Sequence, residues 1–115
     1  MASALGATVT VLALGGNAPT EQVFVDVVSF LADTGYPTGG TLAFTKYLRD
    51  KIGEPWGART LLSATGRGVL AGVLYHFFWD ETNDTLLAYL ASTGAEVADT
   101  TALNAMTIKM TVFSK

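Results

Sequence analysis

Apolar and polar side chains alternate along most of this chain, and the two-residue period predicts strands rather than helices. Over residues 7–13, Thr8 and Thr10 fall on one side and Val9 and Val11 on the other, which predicts a strand with one wetter face. Gly15, Gly16 and Pro19 end it, since glycine and proline punctuate rather than extend. Residues 21–31 place Val23, Val25 and Val27 on one side and Phe24, Val28 and Phe30 on the other, with Asp26 among them. Their β-branched and aromatic content again predicts a strand. Both of its sides are apolar, so it needs cover on both, and in a small chain the second cover is expected from another subunit.

The period changes once. Leu42, Phe44, Leu48 and Ile52 lie near helical spacing, with Thr41 placed to cap and Gly53 followed by Pro55 placed to stop. One short helix over about 42–52 is predicted. Strand character then returns over 58–64. A longer strand is expected over 68–79, with Val69, Ala71, Val73, Tyr75, Phe77 and Trp79 on one face. Polar residues 80–84 form a turn before strand pattern resumes over 85–91, a hairpin signal. After a loop over 92–104, Met106, Ile108, Met110 and Val112 alternate with Thr107, Lys109 and Thr111 in a two-faced last strand. The prediction is one mainly β domain over 1–115, a small antiparallel β-sandwich or partly open barrel with one short helix. Residues 1–11 read equally well as a first strand of that domain or as an N-terminal arm reaching a neighbour.

Composition sharpens the expectation of partners. Of the 115 residues, 50% are hydrophobic and only 15% charged, against about 25% in an ordinary soluble domain. A small monomer of that balance struggles to keep its exposed apolar patches small. An obligate oligomer or scaffold-bound subunit is therefore expected. The net charge of −3 argues against a nucleic-acid partner. No apolar stretch reaches the length of a membrane span, and the N-terminus lacks the basic region of a secretion signal. Lys46, Arg49, Lys51, Arg59 and Arg67 cluster in one stretch, whereas Asp80, Glu81, Asp84, Glu96 and Asp99 follow in a stretch without lysine or arginine until Lys109. These are either ordinary solvated loops or complementary patches that set register between subunits.

Catalytic chemistry finds few candidates. There is no cysteine, and the one histidine, His76, sits inside the apolar run Tyr75-His76-Phe77-Phe78-Trp79. A buried or interface histidine with one hydrogen bond is the simpler reading there, and too few ligands accompany it for a metal site. Asp80, Glu81 and Asp84 lack the spaced oxygen pattern of a dedicated calcium loop. Gly39-Gly40 and Gly66-Arg67-Gly68 match no phosphate-binding motif and read as turns. No enzyme activity, cofactor or metal is expected. Tyr75, Phe77 and Trp79 read as core or subunit contact; as a stacking platform, Trp79 and Tyr75 would instead suit a sugar.

The segment Gly35-Tyr36-Pro37-Thr38-Gly39-Gly40, followed by Leu86-Leu87-Ala88-Tyr89, Gly94-Ala95-Glu96-Val97, Ala102-Leu103 and Met106-Thr107-Ile108, resembles the small capsid decoration (cement) proteins of tailed bacteriophages. The resemblance spans about residues 21–115 and lies in turn and strand punctuation. The helical stretch around Lys46–Lys51 and the aromatic run at 75–79 depart from it. It implies a virion structural protein on the capsid exterior, assembled in the host cytoplasm, commonly trimeric, that clamps the major capsid protein and stabilises the head. A clamp of that kind works by avidity, and a threefold assembly would cover the second apolar faces. The residues expected to make subunit or capsid contacts are Val9, Val11, Phe24, Lys46, Arg49, Lys51, Tyr75, Phe77 and Trp79. The alternative is a carbohydrate-binding module of a phage fibre or surface protein.

Overall fold

The last strand, which has the cleanest alternation in the chain, becomes a centre of the sheet. The computed structural model describes residues 5–13, 24–53 and 59–115. In chain order the elements are β1 (Thr10–Ala13), β2 (Phe24–Leu31), α1 (Phe44–Ile52), β3 (Leu61–Leu70), β4 (Val73–Asp80), β5 (Thr85–Leu90) and β6 (Thr107–Ser114). All six strands join one open antiparallel sheet in the order β1-β2-β6-β3-β4-β5. Thus β6 inserts between β2 and β3, and its even positions Ile108, Met110 and Val112 are fully buried. The mainly β antiparallel fold with one short helix is the predicted one. Its second layer consists of α1 and loops, because the strands form a single sheet.

The inner face of that sheet holds the core. Val28 and Phe30 of β2, Ala64 of β3, Phe77 of β4 and Leu86 and Ala88 of β5 all point to it. From above, α1 contributes Phe44 and Leu48, and the loops contribute Tyr36, Val97 and Leu103. Phe30 meets Phe44 at 5.9 Å and the edge of Tyr47 at 5.5 Å between ring centroids, which seats the helix over β2. β1 belongs to the same domain: Val9 is buried, Val11 is half-buried, and the strand pairs with β2. Residues 1–4 of the expected arm lie outside the described residues, as do Gly15, Gly16, Pro19, Val23 and Pro55.

Three local expectations are corrected. The strand expected over 68–79 is interrupted by a hairpin turn at Ala71 and Gly72, with φ of 51° and 78°. Two consecutive left-handed residues make a tight turn whose twist matches the flanking strands. Val69 therefore lands on the opposite face from Val73, Tyr75, Phe77 and Trp79, and is 59% exposed. Gly66 and Gly68 are not a turn but lie inside β3. A Cβ on Gly66 would meet the Lys109 carbonyl oxygen at 2.7 Å, and one on Gly68 would meet Met106 Cγ and Sδ at 2.6 Å. The glycines are there so that β3 and the core methionines can approach.

Thr41 does not cap α1. Its hydroxyl donates to Asp33 Oδ2 at 2.6 Å, and its backbone pairs with Leu86. The cap comes from the β4–β5 turn instead. Asp84 Oδ1 accepts from Thr45 N–H at 3.0 Å, from Thr45 Oγ1 at 2.6 Å and from Trp79 Nε1 at 2.8 Å, so one carboxylate joins helix, turn and sheet. At the other end Gly53, at φ 80°, donates its N–H to the Arg49 carbonyl, and the helix stops where expected.

Candidate functional site

Alternation sends every second strand residue to the sheet face that α1 does not cover. Among the described residues, neither the helix nor the loops pack there, and much of it is apolar. Val25 is 43% exposed and Phe113, directly opposite on β6, is 37% exposed. Exposed Leu12 and Leu62 sit at irregularities in β1 and β3 near that pair. Leu31, Val69 and Leu74 are exposed toward the other end.

Between these apolar ends runs a polar row. The register aligns Lys109 on β6 with Arg67 on β3, Arg67 with His76 on β4, and His76 with Tyr89 on β5. The adjacent row is Val27, Thr111, Thr65, Phe78 and Leu87. Together the two rows line a shallow hollow of about 510 Å³ bordered by Val27, Thr65, Arg67, His76, Phe78 and Lys109. A second hollow of about 380 Å³ shares His76 and Phe78 and extends to Tyr89 and Gly94. The His76 and Phe78 rings lie stacked with centroids 6.3 Å apart, and Tyr89 meets Phe78 edge-on at 5.8 Å.

The expected contact residues are not on this face. Val9, Val11, Tyr75, Phe77 and Trp79 point to the inner face, where Phe77 is only 2% exposed and Trp79 is bound to Asp84. Phe24 lies under the Arg59 guanidinium, 3.7 Å from its ring centroid, and Arg59 in turn bonds buried Asp26 at 2.9 Å. Lys46, Arg49 and Lys51 are exposed on α1, with Lys46 paired to Asp50 and Arg49 donating to the Arg59 carbonyl at 3.3 Å. The five-residue basic cluster is therefore dispersed: Arg59 is inside the fold, the three helix residues lie on one side of the sheet, and Arg67 lies on the other.

The segments that carried the resemblance form one internal strut. The Tyr36 hydroxyl donates to Glu96 Oε2 at 2.7 Å and accepts from Ala88 N–H at 3.1 Å, while Gly39 N–H donates to the same Glu96 oxygen at 2.8 Å. Thr38 N–H reaches Asp99 Oδ1 at 3.1 Å. Burial, with the Glu96 carboxylate beside it, pushes the Tyr36 pKa well above the ordinary tyrosine value. Asp33 secures the start of the turn through Gly35 N–H at 2.8 Å. These bonds hold loops onto β5. In the turn after β4, Asp80 is occupied by Thr82 N–H and Asn83 Nδ2.

Among the described residues, no group of three histidine, cysteine, aspartate or glutamate side chains is arranged to hold a metal ion, and no helix is long and apolar enough to cross a membrane. What the open face can do is pack against another surface through its apolar ends and fix charge in its middle. No family model, curated protein or solved structure matches this chain.

Proposed function

We propose that this protein is a non-catalytic assembly subunit, a virion structural protein that binds the outer capsid surface as an oligomer, with three copies the expected number, and stabilises the head by clamping major capsid subunits. The observation that carries the reading is the sheet face that no described element covers, where half-exposed Val25 and Phe113 stand opposite each other. A Val or Phe side chain gains roughly 1.5–3 kcal/mol when fully removed from water, so covering this face drives association. The sheet edges are poorer candidates. β1 is only four residues long, and β5 is already bridged on its outer side by Thr41 and Glu96.

The capsid setting comes from the resemblance, and the open face supplies the physical means. The Val25–Phe113 end, where two apolar side chains stand opposite each other, suits contact between copies, while the basic middle suits a different partner. The sugar-binding alternative has its platform residues Trp79 and Tyr75 turned inward. In its source the chain is expected to co-sediment with virus particles. Deleting it should leave heads that still assemble but rupture at lower temperature. Heads of unchanged heat resistance, or particles free of the chain, would end this reading.

A further inference from the structure

The middle of the open face contains an electrostatic arrangement that the fold itself leaves unresolved. Arg67 and Lys109 are direct cross-strand partners on β3 and β6, and His76 flanks Arg67 on β4. Neighbouring strands lie about 4.8 Å apart, and like charges placed directly opposite destabilise a sheet. Among the described residues neither Arg67 nor Lys109 has an ion-pair partner. The outward positions of β1, β2, β3, β5 and β6 carry no aspartate or glutamate. β4 supplies only Asp80 at its end, whose carboxylate is held by its own turn. In a chain of net charge −3, the middle of this face carries two lysine or arginine cations and, among the described residues, no neighbouring carboxylate on the same strands.

The charges border a hollow that also presents Thr65 and Thr111 hydroxyls, the Val27 side chain and the Phe78 ring. Such a lining suits a carboxylate flanked by aliphatic groups: the cations and hydroxyls face the oxygens, and Val27 and Phe78 face the apolar part. We propose that the hollow between Lys109, Arg67 and His76 is a carboxylate-binding site that receives an acidic, partly apolar segment of a partner protein. This rests on the reading of the chain as an assembly subunit and names the chemistry of its second contact.

Charge selects among the occupants. A second copy packed face to face about a two-fold axis through this region would set Arg67 and Lys109 against their own counterparts, a repulsive arrangement. A nucleic acid would gain little, because two permanent cations neutralise about two phosphates while the acidic remainder of the chain repels the rest. An acidic protein segment relieves the Arg67–Lys109 repulsion and covers Phe78 at once.

The test uses the full chain and amide NMR titration with three probes: a short peptide of alternating leucine and glutamate, its leucine–lysine counterpart, and oligodeoxythymidylate. The glutamate peptide should shift the amides of residues 65–67, 76–78 and 109–111, with affinity falling as salt is raised. Arg67→Glu should weaken it about tenfold, while the charge-matched Lys51→Glu, on α1 across the sheet, should leave it unchanged. Lys109→Glu, which creates an opposite-charge pair with Arg67, should raise Tm while also losing the peptide. That combination marks a site kept for binding at the expense of stability. The inference is overturned by equal shifts with the lysine peptide, by tighter binding of the oligonucleotide, by shifts elsewhere, by no shifts at all, or by equal effects of Arg67→Glu and Lys51→Glu. Because the copy-to-copy contact is assigned to the Val25–Phe113 end, an oligomer that ignores the glutamate peptide would sink this inference alone.

Discussion

Replacing Asp84 probes how the small second layer is held on the sheet. Its Oδ1 accepts from Thr45 N–H, Thr45 Oγ1 and Trp79 Nε1 at 3.0, 2.6 and 2.8 Å. Asp84→Ala removes the helix cap, which costs about 1 kcal/mol. It also leaves the partly buried Trp79 indole N–H and Thr45 hydroxyl without their acceptor, about 1 kcal/mol each at the lower end of the range for such groups. Asp84 adopts φ of 51°, a left-handed conformation that aspartate and asparagine tolerate better than alanine does. The sum is a loss of roughly 3 kcal/mol, with neighbouring terms partly shared. Asp84→Asn keeps both an acceptor oxygen and the tolerance for positive φ, and should cost about 1 kcal/mol or less. Urea denaturation followed by circular dichroism reads both variants against wild type. A loss below about 0.5 kcal/mol for alanine, or equal losses for the two variants, would refute the role given to this carboxylate.

Other substitutions test the strut and the sheet. Tyr36→Phe removes the acceptor of Ala88 N–H and the donor to Glu96, and should cost about 1–3 kcal/mol in the same assay; a loss within about 0.5 kcal/mol would show the strut to be incidental. Alkaline pH should weaken the fold. Burial pushes Tyr47 up to about 12 and Tyr36 higher still, against about 10 in the unfolded chain, so their stabilisation is complete below pH 10 and is lost as pH rises above it. Urea midpoints measured from pH 8 to 11.5 should fall above about 10, and the fall should shrink in Tyr47→Phe; an undiminished fall would contradict the assignment. Gly66→Ala should cost about 1–3 kcal/mol, because its Cβ would meet the Lys109 backbone oxygen at 2.7 Å. Gly72→Ala, with open space around it, should cost only about the 1 kcal/mol of a left-handed alanine. Equal Tm values for the two glycine variants would undo this reading of β3.

Much of the fold was legible because its strands carry strict two-residue alternation. Met106, Ile108, Met110 and Val112 declare which side of β6 is buried, and the polar run 80–84 declares the hairpin. Phe44, Leu48 and Gly53 mark the helix for the same kind of reason, a spacing and a stop. The Ala71–Gly72 turn escaped because an alanine at positive φ carries no turn signal. Gly66 and Gly68 misled because a glycine kept for close backbone approach looks identical in sequence to one kept for a turn. Asp84 as a cap was hidden by distance, since Thr45 lies 39 positions earlier.

The candidate site was legible only in part. The two apolar sides of residues 21–31 announced that a second face needed cover, and Val25 and Val27 lie on it. Of the two uses left open for Tyr75, Phe77 and Trp79, core or subunit contact, the core claims them, and His76 and Phe78 are left on the open face. The Arg67–Lys109 row depends on β6 inserting beside β3, a pairing between residues far apart in the chain, and no local pattern encodes it.

A single light-scattering comparison bears most directly on the claim that copies of this protein cover one another's exposed sheet. The variant Val25→Lys/Phe113→Glu turns the cross-strand apolar pair into an ion pair, so the fold is kept while its grease is removed. Wild type should scatter as a multiple of the 12.1 kDa chain at micromolar concentration, and the variant should scatter as a single chain with an unchanged circular dichroism spectrum. A wild type that already runs as one chain, or a variant that stays assembled, would contradict the account.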